Sequence, residues 1–362
     1  MAKIKLTVGD MVNSGKKTSS DKSGGKHSLD DIKELLNISQ SSTRWKPDSF
    51  LSVCKPIEKI LNKPDGLIPL GHSSIILGNS NVGKTSLLLD IAVSAQKSGI
   101  LPIFIITEMK WSNKHLMDSG FEMEERVDEE TGELTYHGEF IMNDFSNLKS
   151  IEDVGTFILK CLELQRTGKI RQDCIFLYDS VGVLSSQASI DSKSKNNMFD
   201  ANAMANVFGR MVCREISLTR KSDMPYTATL VAVNHGTINP HIGEYMAQPT
   251  LDPVNGKYFW KQCTACIMFG DVTKAGTSVV KATKHGKEVQ FGLRTKVKLT
   301  KWHAEGVETS GKVILTETGF IDDTKEAIKE YTKLHSHKWV KQLGIDNDSD
   351  DTFNIVDEDD DE

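Results

Sequence analysis

The residues of this chain best equipped for chemistry stand together in one octet. Gly78-Asn79-Ser80-Asn81-Val82-Gly83-Lys84-Thr85 completes a G-x-x-x-x-G-K-[ST] pattern, set between the apolar run 73–77 and a helical spacing over 85–97. The two glycines let the backbone curl, so that successive N–H groups and the start of the following helix face an anion. Lys84 supplies a cation for the outer phosphates of a nucleotide, and the Thr85 hydroxyl suits Mg2+. The chemistry these residues can serve is binding of ATP with Mg2+ and transfer of its terminal phosphoryl group, with a nucleotide-binding set that runs on to Ser86.

Such a site needs a carboxylate beside the metal. The run Asp173-Cys-Ile-Phe-Leu-Tyr-Asp179 has the pattern of a buried strand ending in an acid, and Asp179 is the expected support for Mg2+, through water. A second apolar run, 103–107, ends in Glu108, the candidate general base for an attacking water. A third, 229–233, ends at Asn234-His235, polar groups placed to sense the γ-phosphate. In a doubly wound sheet the C-terminal strand edges line the ligand crevice, which would bring Lys84, Glu108 and Asp179 together.

The elements that must position these residues are legible as an alternation. Apolar runs at 73–77, 103–107, 174–178 and 229–233 are interleaved with helical spacings at 85–97, 149–165 and 202–219, which predicts an α/β domain with a mostly parallel sheet covered by helices. Turn residues 130–133 between Val127 and Leu134 predict an inserted hairpin over 124–139, and the polar stretch 185–200 reads as a loop. Cys263-Thr-Ala-Cys266 has half the spacing of a zinc site, but without a second pair it reads as core packing.

With 362 residues the chain is long enough for one large domain with appendages. Its longest apolar run, 100–106, is too short to cross a bilayer, and no apolar stretch follows the basic start; with six cysteines in so long a chain, this predicts a cytoplasmic protein with reduced thiols and no membrane partner. The net charge of −6 is unevenly spread: 346–362 carries eight Asp and two Glu with no basic residue, whereas 1–27 has six Lys against two Asp. Both ends read as flexible tails of opposite charge. The expected organisation is a basic tail over 1–27, a helical oligomerisation arm over 28–54 with its helix at 28–37, an ATPase core over 55–335 and a C-terminal segment with the acidic tail over 336–362.

The order of these motifs resembles the RecA-type recombinases, most closely the phage UvsX branch, over most of residues 55–335. Asp65-Gly-Leu-Ile-Pro-Leu-Gly71 is similar to the lead-in to that family's phosphate loop, Thr107-Glu108 falls where it has a catalytic glutamate, and Val233-Asn-His-Gly236 resembles its polar switch. The resemblance implies a RecA-like P-loop ATPase core. It places His115 where the family stacks a tyrosine on adenine, and Lys301 and His303 where basic groups reach a neighbouring subunit's ATP. It also implies two DNA-binding loops, 185–200 with Lys193 and Lys195, and 237–258 with Asn239, His241 and Lys257.

The function the resemblance implies is a DNA-dependent ATPase that polymerises on single-stranded DNA and exchanges it into a homologous duplex. Its partners would be single- and double-stranded DNA, further copies of itself in a filament or ring, a single-strand-binding protein and a loader. The same core admits a hexameric replicative helicase, which the short stretch before the core makes the second reading, and an ATP-binding regulatory scaffold without DNA activity.

Overall fold

The computed structural model describes residues 44–192, 197–239, 250–270, 277–302, 309–344 and 353–357. The chain divides into two units, Met1–Arg44 and Trp45–Glu362. The expected basic tail and the helix at 28–37 lie outside the described residues.

The strands, in chain order, are β1 (Phe50–Leu51), β2 (Ile68–Pro69), β3 (Ser73–Gly78), β4 (Leu101–Ile106), β5 (Glu124–Val127), β6 (Leu134–His137), β7 (Ile141–Asp144) and β8 (Cys174–Asp179). They continue with β9 (Ala228–Asn239), β10 (Thr250–Pro253), β11 (Ala265–Phe269), β12 (Thr277–Lys284), β13 (Lys287–Lys301), β14 (Thr309–Thr316), β15 (Gly319–Asp322) and β16 (Asn354–Asp357). The helices are α1 (Lys55–Ile60), α2 (Lys84–Lys97), α3 (Asn113–Asp118), α4 (Ile151–Arg166), α5 (Gln187–Ser192), α6 (Asn197–Asn206), α7 (Cys213–Leu218), α8 (Lys257–Gln262) and α9 (Lys325–Leu343), with a π-helical turn, Val207–Val212, joining α6 to α7.

A mixed α/β architecture results. Twelve strands form one sheet with the central order β15-β14-β13-β11-β3-β9-β8-β4-β7, and the block from β11 to β7 is parallel. Parallel strands need long crossovers, which α2, α4 and the α5–α7 segment supply, and burial on both faces explains their continuous apolar runs. Alternation then sorts the side chains. Ile76, Phe104, Ile106, Leu177 and Val231 pack with Leu87, Leu88 and Ile91 of α2, whereas Ile75, Ile103, Ile105, Phe176, Tyr178 and Leu230 pack with Val154, Ile158, Met204, Phe208 and Ile216 on the other face. α4 starts at a capping box in which the Ser150 and Asp153 side chains each accept from the other's backbone N–H.

The hairpin expected over 124–139 is present as β5 and β6, a two-stranded ribbon. Four expectations need correction. The stretch 185–200 is not an open loop: α5 and the start of α6 occupy its described part. Asp200 accepts from the Ser186 N–H at 2.7 Å, the Ser186 hydroxyl at 2.9 Å and the Ser189 hydroxyl at 2.7 Å, so its polar residues satisfy one another and the helix start. The described part of 237–258 is regular structure too: β9 runs on to Asn239, β10 folds back on Gly236–Asn239 and α8 follows, while 240–249 lies outside the described residues. The boundary at 54 cuts the second unit, since β1 pairs with β2. The boundary at 335 falls inside α9, and within the expected acidic tail Asn354–Asp357 is a strand laid on β12. There Phe353 is buried against Trp339, and one ring with a backbone ladder orders a stretch whose composition reads as solvated.

Phe208 is fully buried, stacked on Tyr178 at 5.6 Å and meeting Phe259 edge-on at 5.5 Å. Phe208→Ala should therefore cost about 3–5 kcal/mol, read as a lowered urea midpoint at unchanged slope.

Candidate functional site

Register does the assembling. Gly78 at the end of β3 pairs with His235 on one side and Phe269 on the other; Asp179 pairs with Val233 and with Ile106, the residue two before Glu108. Four chain segments thus reach one sheet edge at the same level. Gly83 caps α2 with φ 102°, in the left-handed region, and a Cβ there would lie 3.0 Å from the Phe320 ring, so the turn that delivers Lys84 and Thr85 requires glycine. At Gly78 a Cβ would come within 2.7 Å of the Phe269 carbonyl oxygen.

Ser80, Asn81, Lys84, Thr85, Ser86, Glu108, Asp179 and His235 line one cleft of about 400 Å3, closed on a further side by Leu315 of β14. A narrower recess opens from it between Leu89, Trp111, Ser112 and His115. The Trp111 indole N–H is tied to the Asn113 side-chain oxygen at 2.9 Å. Asn79 and Val82 play supporting parts: the Asn79 carbonyl accepts from the Lys84 ammonium, and Val82 is buried in the core beneath the loop.

The cleft is electrostatically tense. Lys84 is only 5% exposed, and burial lowers its pKa against the raising effect of Asp179 and Glu108. Burial pushes Asp179 up to about 6, with repulsion from Glu108 adding to it; a hydrogen bond from the Thr85 hydroxyl at 3.0 Å and the charges of Lys84 and His235 oppose the rise. Glu108 goes the other way. Burial raises it, but hydrogen bonds from Ser180 and His235 and the charges of His235 and Lys84 outweigh burial and hold the carboxyl below its ordinary value. Both hydrogen bonds, from Ser180 Oγ at 2.6 Å and at His235 Nε2 at 2.9 Å, land on Oε1, so Oε2 is the oxygen available to a water in the cleft.

Ser180 was not singled out in the sequence, nor was Thr107 as its anchor. The Thr107 hydroxyl accepts from the Ser180 N–H at 3.0 Å and donates to the Ser180 carbonyl at 3.0 Å, stitching the ends of β4 and β8 together. Ser180 follows Asp179 directly, but its value depends on β4 lying beside β8, which sequence order does not reveal.

Other expected residues are not gathered at the cleft. Asn234 is fully buried on the opposite face, its amide nitrogen donating to the Asn255 carbonyl at 3.2 Å; strand alternation turns Val233 and His235 to the cleft, so of the expected pair His235 alone lines it. Lys301 donates to the Lys261 carbonyl at 2.5 Å and pairs with Cys266, toward the strand edge away from Gly78. Asn239 and Lys257 both donate to Asp252 Oδ2, at 3.2 and 3.0 Å, so each already has an anionic partner. Burial pushes Asp252 up, but Lys257, Asn239 and Thr250 hold its carboxyl below the ordinary value. Lys193, Lys195, His241 and His303 lie outside the described residues.

The six cysteines are all buried and unpaired, and burial raises Cys263 and Cys266, in keeping with core packing. No group of His, Cys, Asp and Glu suited to a metal occurs among the described residues, and no described helix is long and apolar enough to cross a membrane. Thr85 Oγ1 and Asp179 Oδ2 do offer two hard oxygens side by side, the donor type that a small hard dication takes alongside substrate phosphates. Compared with known proteins, the chain matches no family model and no curated protein sequence.

A carboxylate raised by burial penalises the fold when ionised, a penalty present above pH 6 that fades as pH falls through that value. Asp179→Asn should accordingly stabilise the metal-free protein by roughly 3 kcal/mol at pH 7.5 and by about half that at pH 5, measured as the shift in thermal midpoint at the two pH values.

Proposed function

We propose that this chain is an ATP-hydrolysing recombinase with a RecA-like core, which polymerises on single-stranded DNA and exchanges it into a homologous duplex. The observation that carries the reading is the meeting of Lys84, Thr85, Asp179, Glu108 and His235 around one cleft at the ends of four parallel strands. The resemblance of the sequence to the RecA-type family supplies the DNA.

In this reading the Lys84 ammonium exchanges its carbonyl partner, Asn79, for the outer phosphates of ATP, which offset the cost of burying its charge. Thr85, and Asp179 through water, would hold Mg2+, which when bound would supply countercharge to the phosphates. Glu108 orients the attacking water through Oε2 and takes its proton, its other oxygen being fixed by Ser180 and His235. His115 and Trp111 line the recess for the base.

His235 joins this chemistry to the rest of the molecule. It bonds Glu108 while standing in β9, the strand that continues into the β9–β10 hairpin. Contacts to a γ-phosphate would shift the balance of its two states and bias the hairpin that carries Asn239, a population shift rather than a mechanical push. Lys301 and His303 would serve a neighbouring subunit's nucleotide, and a single-strand-binding protein and a loader would act on the assembled form.

The decisive measurement is ATP hydrolysis with and without single-stranded DNA. Stimulation by DNA, with pairing of homologous strands and filaments in electron micrographs, is expected; hydrolysis indifferent to DNA, or unwinding by closed rings, overturns the reading in favour of a scaffold or a helicase. Lys84→Ala should abolish retention of ATP. Glu108→Gln should retain ATP with Mg2+ yet slow turnover by about 10²–10⁴-fold, separating binding from chemistry.

A further inference from the structure

The outer part of the sheet carries a feature that the nucleotide site does not use. β12 pairs with β13 along one side, and along its other side it accepts the four-residue β16 in antiparallel register, from Thr283 opposite Asn354 to Val280 opposite Asp357. The preceding Phe353 fills a socket: its ring meets Trp339 edge-on at 5.5 Å, and Lys284 Nζ lies 5.7 Å from its centroid. The socket belongs to a small core of its own, with Val280, Ala282, Phe291 and Tyr331, separate from the two cores that hold the cleft.

Little ties this strand to its own chain. α9 ends at Gly344, whose φ of 57° closes the helix, and eight residues, four of them Asp, lead from there to Phe353. Ile355, in the middle of the strand, is 38% exposed, so one ring, a short backbone ladder and the Thr283 hydroxyl, which donates to the Asn354 carbonyl at 3.2 Å, make the attachment. A strand of this length is marginal by itself, and every contact it makes is one that the same strand of another molecule could make equally well. Charge points to the same kind of occupant. The segment 346–362 carries ten acidic residues and no basic one, and Lys281 and Lys284 stand on the accepting strand with Lys287 at the turn beyond it. Docking in cis is favoured by tethering, an advantage of millimolar order that a high concentration of chains can offset.

We propose that the side of β12 on which β16 lies, with the socket beside Trp339, is a strand-acceptor site for an extended acidic segment led by an aromatic residue, and that its occupant in trans is the Phe353–Asp357 segment of a second copy of this chain. Exchange of a short terminal strand between identical protomers is a low-cost route to association. The site stands apart from the nucleotide cleft and does not rest on the function proposed for it.

Thr283 and Asn354 face each other in the register, and the native cysteines are buried, so engineered pairs report on the site cleanly. Full-length chains carrying Thr283→Cys and, with a different tag, Asn354→Cys would be mixed, mildly oxidised and resolved without reductant. A mixed disulfide-linked dimer is expected, rising with protein concentration and falling roughly tenfold or more when Phe353→Ala is added to the Asn354→Cys chain. No mixed dimer, while the double variant Thr283→Cys/Asn354→Cys closes within one chain, would show the strand sealed in cis and overturn the exchange. Failure of both pairs to link would show that the strand does not lie on β12 and overturn the site itself.

Discussion

The backbone ladder of the parallel block is the constraint from which the rest follows. Because β3, β8 and β4 end at nearly the same level of the parallel ladder, where β9 passes with His235, four groups come side by side: the Gly78 turn, His235, Asp179 and Glu108. No side-chain interaction could substitute for this. A one-residue slip of β9 against β3 would turn His235 away from the cleft and Asn234 into it, reversing which polar group meets Glu108. The apolar alternation that fills the two faces protects against such a slip, since it would expose one set of core side chains and bury polar groups in their place.

The site gathered in this way is poor company for itself. Two carboxylates and one ammonium share a cleft in which burial disfavours each charge, and hydrogen bonds divide their fates. Ser180 and His235 keep Glu108 ionised, whereas Asp179, with one hydroxyl partner, is left close to neutral pH. Perturbed titratable groups of this kind, gathered in one cleft, mark it as a candidate functional site. The cost is borne by the core on either side, where Ile and Phe side chains are packed to zero exposure.

The antiparallel half obeys a different logic. β13 is fifteen residues long and serves three neighbours, with β14 along one side and, on the other, β12 over its first part and β11 near its end. The sheet therefore continues past the parallel block into a second small core, sealed by α9 and by the ring of Phe353. Leu315 of β14 reaches the cleft at Lys84 while the paired strands lead outward to the C-terminal segment, so one continuous sheet connects the Gly78–Thr85 turn to the acidic end of the chain.

The sequence alone determined the glycine-flanked turn between β3 and α2, the two acids at strand ends, the alternation of strands and helices and the inserted hairpin, because each is written in local terms: glycine positions, a run of apolar residues closed by a carboxylate, a turn between two strands. What it left undecided was whatever depends on which segments become neighbours. Ser180 became a partner of Glu108 only because β8 lies against β4, Asn234 turned away because its strand continues instead of stopping, and Asp252 took up Asn239 and Lys257 because β10 folds back. The polar stretch after Asp179 and the acidic end looked solvated because composition counts charges and hydroxyls without seeing their partners. Long-range pairing supplied those partners, and only the tertiary structure could decide it.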